Sequence, residues 1–226
     1  MNFSYKAYLF LLFFSYTLNV FADVNVIKKE NIKTEKITSA KIIYNGNTTR
    51  KETMELISVI DEINNNYPKI KDIKLYINSG GGDLLSAYMA YETIKHSVIP
   101  VVTINTALVA SSATVIYCAA KSRLSFPLAN FILHPASISN IRNESLMPNE
   151  VERLRKNVEM GNDIFRGIYQ ECSNLKSEEL QKILFSEDSM KYISANNAQE
   201  LKIATGVADG IIPSDISYYI INKIND

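Results

Sequence analysis

An α/β fold built on parallel strands is what this sequence predicts, and three observations carry the expectation. Strand-like and helix-like segments alternate through the first half of the chain, the rhythm of βαβ units. The composition, 46% hydrophobic and 21% charged over 226 residues, suits one domain with a full core. A glycine run, a serine-led helix start and a histidine all fall at the carboxyl ends of expected strands, where such sheets hold ligands.

Residues 23–38 are polar and Lys-rich and read as an irregular arm. Ser39 to Asn45 reads as a strand, with a turn at Gly46. From Lys51 to Asn66, the apolar residues Met54, Leu56, Ile57, Ile60 and Ile63 have helical spacing, ended by the Asn64–Asn66 run and Pro68. A strand follows over Asp72–Asn78, then the glycines Gly80, Gly81 and Gly82, then an amphipathic helix over Leu84–His96. Pro100–Asn105 is expected as a strand, Ser111–Ala120 as a buried helix, and Phe126–Leu133 as a strand leading into His134. The second half turns helical over Pro148–Gln170 and again over Ser177–Phe185. A short helix is expected from Tyr192 and a last strand over Gly206–Ile212.

The N-terminus differs in character. Lys6 precedes a run from Ala7 to Ala22 that is mostly apolar, and Val20 and Ala22 occupy the −3 and −1 positions of a cut before Asp23. The run is about 16 residues, short of the roughly 20 that a spanning helix needs. The expectation is a signal peptide over 1–22, a single domain over 23–226, and a periplasmic or secreted product. Lys+Arg and Asp+Glu are equal at 24 each, so nothing favours nucleic acid. Cys118 and Cys172 are read as two buried thiols, although a pair could form in an oxidising compartment. With His96 and His134 the only histidines and no ligand spacing, neither a metal site nor a cofactor is expected.

Acyl transfer needs a nucleophile, a base and donors aimed at an oxyanion. Glycines after a strand leave backbone N–H groups unobstructed. Each feature alone has a plainer reading: a tight turn, an N-capping serine, a structural histidine. Together they supply the three parts that acyl transfer needs.

The stretch Leu75–Gly82 resembles the Tyr-Ile-Asn-Ser-Pro-Gly-Gly signature of the Clp protease proteolytic subunit. Leu108–Val115 resembles the family's nucleophile segment, and Phe126–His134 the strand ending in its catalytic histidine. The Gly82-to-Ser111 spacing matches without a gap and selects Ser111 over Ser112. Downstream, Ile193-Ser-Ala and Gly206–Ile211 are similar to the family's C-terminal segment, so the likeness runs from about residue 38 to 213. It implies the Clp/crotonase fold of stacked ββα units with a protruding handle helix, here Pro148–Gln170. It implies Ser111 as nucleophile, His134 as base, and an oxyanion hole from the N–H groups of Gly82 and Ser112. The substrate would be a peptide or protein. The handle's apolar residues Val151, Leu154, Val158, Ile164, Phe165 and Ile168 imply a homo-oligomer.

The sequence departs from the pattern in places. Met190 stands where the family has its triad Asp, and Asp188 is the expected substitute, with Glu187 beside it. Gly80 replaces a proline and Ala113 a glycine. Export would also remove the chain from ATP, so no ATPase partner is expected. Two other readings stay open: a catalytically dead scaffold, which Met190 favours, and a crotonase-like acyl-CoA enzyme, which a Ser–His pair and export disfavour.

Overall fold

A computed structural model describes residues 24–138 and 145–222. The expected signal peptide over 1–22 lies outside them. In chain order the elements are β1 (Val24–Lys28), β2 (Ala40–Asn45), α1 (Arg50–Asn66), β3 (Ile73–Ser79), α2 (Leu84–Lys95), β4 (Val101–Ala110), α3 (Ser112–Cys118), β5 (Ser122–Ser125), β6 (Asn130–Leu133), α4 (Pro148–Cys172), α5 (Ser177–Ile183), β7 (Lys191–Ser194), α6 (Ala195–Glu200), β8 (Gly206–Val207) and β9 (Ile216–Ile221).

One mixed sheet runs in the order β1-β9-β2-β3-β4-β5-β8, parallel from β9 to β8. Strand side chains alternate between faces, and both faces are used. Ile42, Tyr44, Leu75 and Ile77 point into the main core beneath the helices. Ile43, Tyr76 and Ile104 form a smaller cluster opposite. The helices α1, α2 and α3 pack side by side, and α4 packs on α3.

β4 is the strand that builds the site, because it has two partners on one edge. Its first half pairs with β5 (Val102 with Ser122 to Asn105 with Ser125). Its end pairs with β6 (Leu108 with Asn130 to Ala110 with Ile132). β6 then takes β7 as an antiparallel neighbour. A three-strand wing thus leaves the main sheet and carries the residues after Ala110, after Leu133 and before Lys191.

Several expectations need correction. The polar arm holds β1, an edge strand antiparallel to β9; β9 lies beyond the strand expected to be last. The single strand over Phe126–Leu133 is β6 alone, and β5 precedes it. Tyr192–Ser194 belongs to strand β7, and the helix starts only at Ala195, where the Ser194 side chain caps it by accepting from Asn197 N–H. The cysteines are not free thiols. Cys118 and Cys172 form a disulfide with Cα atoms 5.5 Å apart, joining the last residue of α3 to the last of α4. The Arg123 guanidinium reinforces that corner by donating to the carbonyls of Ala120, Cys172, Lys202 and Ile203. The handle's apolar stripe is also divided. Phe165 and Ile168 are buried in the core, Leu154 and Val158 are half-buried, and Val151 is exposed.

Candidate active site

The Gly80–Gly82 loop follows β3 and is held from one side by Thr48. Thr48 N–H donates to the Gly81 carbonyl at 2.9 Å, and Asp83 N–H donates to the Thr48 carbonyl at 2.6 Å. Gly81 and Gly82 have φ of +97° and +149°, values that side chains disfavour. Space demands glycine as well. A Cβ on Gly82 would stand 2.3 Å from the Thr48 carbonyl oxygen, and one on Gly81 would stand 2.6 Å from Ser111 Cβ. Gly80 has open space around it. Asp83 ends the loop by capping α2, accepting from Ser86 N–H at 2.6 Å. That bond holds its carboxyl below the usual carboxylate range.

Ser111 sits on the turn between β4 and α3 with φ 53° and ψ −132°. A side chain rarely adopts this conformation, and such strain persists only where neighbours enforce it. Here Ser111 N–H donates to the Ile132 carbonyl at 3.1 Å. Its own carbonyl accepts from Thr114 N–H at 2.9 Å and from Thr114 Oγ1 at 2.5 Å. Thr114 Oγ1 in turn meets the Tyr169 hydroxyl of α4 at 2.7 Å. Burial of Tyr169 pushes that phenol well up, so it stays a neutral hydrogen-bonding group. A strand-to-helix elbow of this kind presents a serine Oγ outward.

The N–H groups of Gly82 and Ser112 are the expected oxyanion donors. Ser112 opens α3, so its N–H has no partner within the helix. Neither it nor Gly82 N–H reaches another backbone carbonyl among the described residues. Gly82 and Ser111 together line a cleft of about 580 Å³ whose other walls include Leu84, Leu85, Met160 and Phe165. The cleft wall thus mixes apolar side chains with the polar groups of Asp83, Ser111, Ser137 and Asn157.

His134 follows β6, the strand whose Ile132 carbonyl holds Ser111 N–H, so Ser111 and His134 leave adjacent strands. Its Nδ1 lies 2.8 Å from the Pro135 carbonyl oxygen and 3.6 Å from Glu187 Oε2. Both neighbours are acceptors, so in the neutral ring the proton sits on Nδ1 and Nε2 keeps its lone pair. Among the described residues no hydrogen bond joins His134 to Ser111 Oγ. The imidazole is one-fifth exposed and the Glu187 side chain 61% exposed, so the pair contributes little to stability.

Asp188 is the expected acid, and the carboxylate beside His134 in this structure is Glu187. Leu133 pairs with Lys191 in the β6–β7 ladder, and one further step of that antiparallel register sets Met190 across from His134. Glu187–Ser189 forms a single 3₁₀ turn, closed by Met190 N–H donating to the Glu187 carbonyl at 3.0 Å. Residues three apart eclipse in such a turn. Glu187 therefore shares the side of Met190 and faces His134. Asp188 is rotated away, and its side chain makes no hydrogen bond or ion pair among the described residues. Among the described residues no group of three or more His, Cys, Asp or Glu could hold a metal ion.

Comparison with known proteins agrees with this architecture. The Clp protease family model matches residues 27–215. An ATP-dependent Clp protease proteolytic subunit 2 from Borreliella burgdorferi is 30% identical over 113 residues, 48% of this chain and 56% of the relative, so the match spans little more than half of that protein. A subunit 2 of the same description from Corynebacterium jeikeium is 23% identical over 191 residues, 80% of this chain and 85% of the relative. Among solved structures, a ClpP1 variant from Listeria monocytogenes superposes with TM-score 0.63 at 19% identity, covering 75% of this chain and 91% of its own. The chain belongs to the Clp protease family.

Proposed function

We propose that this chain is a serine peptidase that works outside the cytoplasm on peptides or unfolded polypeptides. The observation that carries the reading is the strained Ser111 elbow packed against Gly81, with the Gly82 and Ser112 N–H groups beside it. Ser111 Oγ attacks the scissile carbonyl carbon while His134 Nε2 takes the hydroxyl proton. The carbonyl oxygen becomes an oxyanion that accepts from Gly82 and Ser112 N–H. His134 gives its proton to the departing amine, leaving an acyl-Ser111. Water then repeats the sequence: His134 takes its proton, the acyl–oxygen bond breaks, and Ser111 recovers its hydrogen. Removing one oxyanion donor costs on the order of 100-fold in rate. Glu187 is the carboxylate best placed to support the imidazolium.

Export is supported by the Lys6–Ala22 segment and by the Cys118–Cys172 disulfide, a bond that persists in oxidising compartments. Away from ATP the chain would act without an ATPase partner, which limits it to substrates already unfolded. The exposed Val151 and Met160 of the handle and Met147 just before it, together with Leu85 and Met89 of α2, suit assembly with further copies. The test is hydrolysis of short fluorogenic peptides by the mature protein, with Ser111→Ala abolishing it.

The scaffold reading keeps two observations in its favour, Met190 across from His134 and the missing Ser111–His134 hydrogen bond among the described residues. Equal, near-zero hydrolysis by the wild type and Ser111→Ala would favour it.

A further inference from the structure

The β6–β7 ladder ends at Leu133 and Lys191. His134 and Glu187 both lie past that last pair, where no strand pairing fixes one segment against the other. What joins the two segments there is a side chain from the handle. Asn162 Oδ1 accepts from Ala136 N–H at 2.7 Å, two residues beyond His134. Asn162 Nδ2 donates to the Leu184 carbonyl at 2.9 Å, three residues before Glu187. The amide orientation follows from the chemistry of its partners: an N–H needs the oxygen and a carbonyl needs the nitrogen. The preceding residue lets the handle come this close, since a Cβ on Gly161 would stand 2.7 Å from Ala136 Cβ. Met160 and Gly161 also line the cleft beside Ser111, so the same turn of α4 touches the substrate space.

We infer that Asn162 is a positioning residue that clamps the base-bearing and acid-bearing segments together and so sets the His134–Glu187 contact. The inference rests on the peptidase reading, and it assigns Asn162 no contact with the reacting atoms. Neither Asp nor Ala can replace it fully. Asp keeps an acceptor for Ala136 N–H but turns a carboxylate oxygen toward the Leu184 carbonyl. Ala loses both bonds.

The test is the second-order rate at which a fluorophosphonate probe labels Ser111 in the mature protein. Asn162→Ala should slow labelling by about 100-fold, the scale of a small misplacement of a catalytic group. In a Glu187→Gln background the same change should add less than about twofold, because it acts through a partner already lost. Additive effects of the two substitutions would mean a merely structural role and overturn the clamp. So would a labelling rate for Asn162→Ala within twofold of the wild type. Should Asn162→Ala fail to fold, Asn162→Asp, which keeps the Ala136 bond, is read by the same criteria. A folded wild type whose Ser111 is never labelled sinks the peptidase reading and the clamp with it. A labelled wild type with an indifferent Asn162 sinks the clamp alone.

Discussion

Gly81 and Ser111 are packed so closely that a methyl group on the glycine would stand 2.6 Å from the serine Cβ. It would also stand 2.8 Å from the Ala110 carbonyl oxygen. The strained serine turn and the left-handed glycine loop therefore hold each other in place, from strands β4 and β3. Gly81→Ala should cut peptide hydrolysis by at least about 100-fold through displacement of the nucleophile. It should also cost more than about 1 kcal/mol of stability from its positive φ alone. Thermal unfolding and initial rates on the same preparation check both. Unchanged activity would mean that the packing of the two residues has no catalytic role.

Glu187 and Asp188 are neighbours with opposite orientations, which makes a paired test. Glu187→Gln should slow hydrolysis by about 10²- to 10⁴-fold, the range over which loss of a histidine-orienting acid acts. Asp188→Asn should leave the rate within about threefold. The reverse order would show that the 3₁₀ turn rearranges when substrate binds.

Glu187 also marks the limit of what the sequence made legible. The sheet's parallel centre and helices α1, α2 and α4 are readable because periodicity and turn residues are local signals, whereas the expectations for Ser111 and His134 come from the family resemblance and its spacing. Met190 was readable as a departure. Choosing between Asp188 and Glu187 required knowing that the chain turns there rather than running extended, and the four residues Ser186–Ser189 carry no pattern that says so. β1 was hidden because its edge position leaves Val26 and Ile27 exposed and its surroundings are Lys-rich. β7 is four residues long, below the length at which alternation can be told from a helix start. The disulfide joins positions 54 apart, a tertiary fact without a local signal.

The disulfide closes α3 onto α4 and gives a stability test that also bears on location. Replacing both cysteines by alanine should cost about 2–4 kcal/mol in urea unfolding. Protein collected after export should show no thiol reactive toward an alkylating agent under denaturing conditions. Two reactive thiols in that exported protein would argue against an oxidising compartment.

Asp83 couples the glycine loop to acid. Its folded-state carboxyl titrates below its ordinary value because Ser86 N–H donates to it. The stability it adds is therefore present above about pH 4, the unfolded value, and is lost as pH falls through the lower folded value. Asp83→Ala should cost about 1 kcal/mol at neutral pH, as loss of an N-cap does. The gap between the unfolding temperatures of the two proteins should narrow as the solution is acidified. A constant gap would mean that the carboxylate's charge is not what caps α2.

The central claim is that Ser111 is an activated nucleophile, and the most direct measurement is mass spectrometry of the mature, folded protein after exposure to a fluorophosphonate. One adduct per chain is expected, located on Ser111 rather than Ser112, and absent from Ser111→Ala and from heat-unfolded protein. A folded, assembled protein that takes up no probe, or takes it up equally at Ser112, would contradict the assignment.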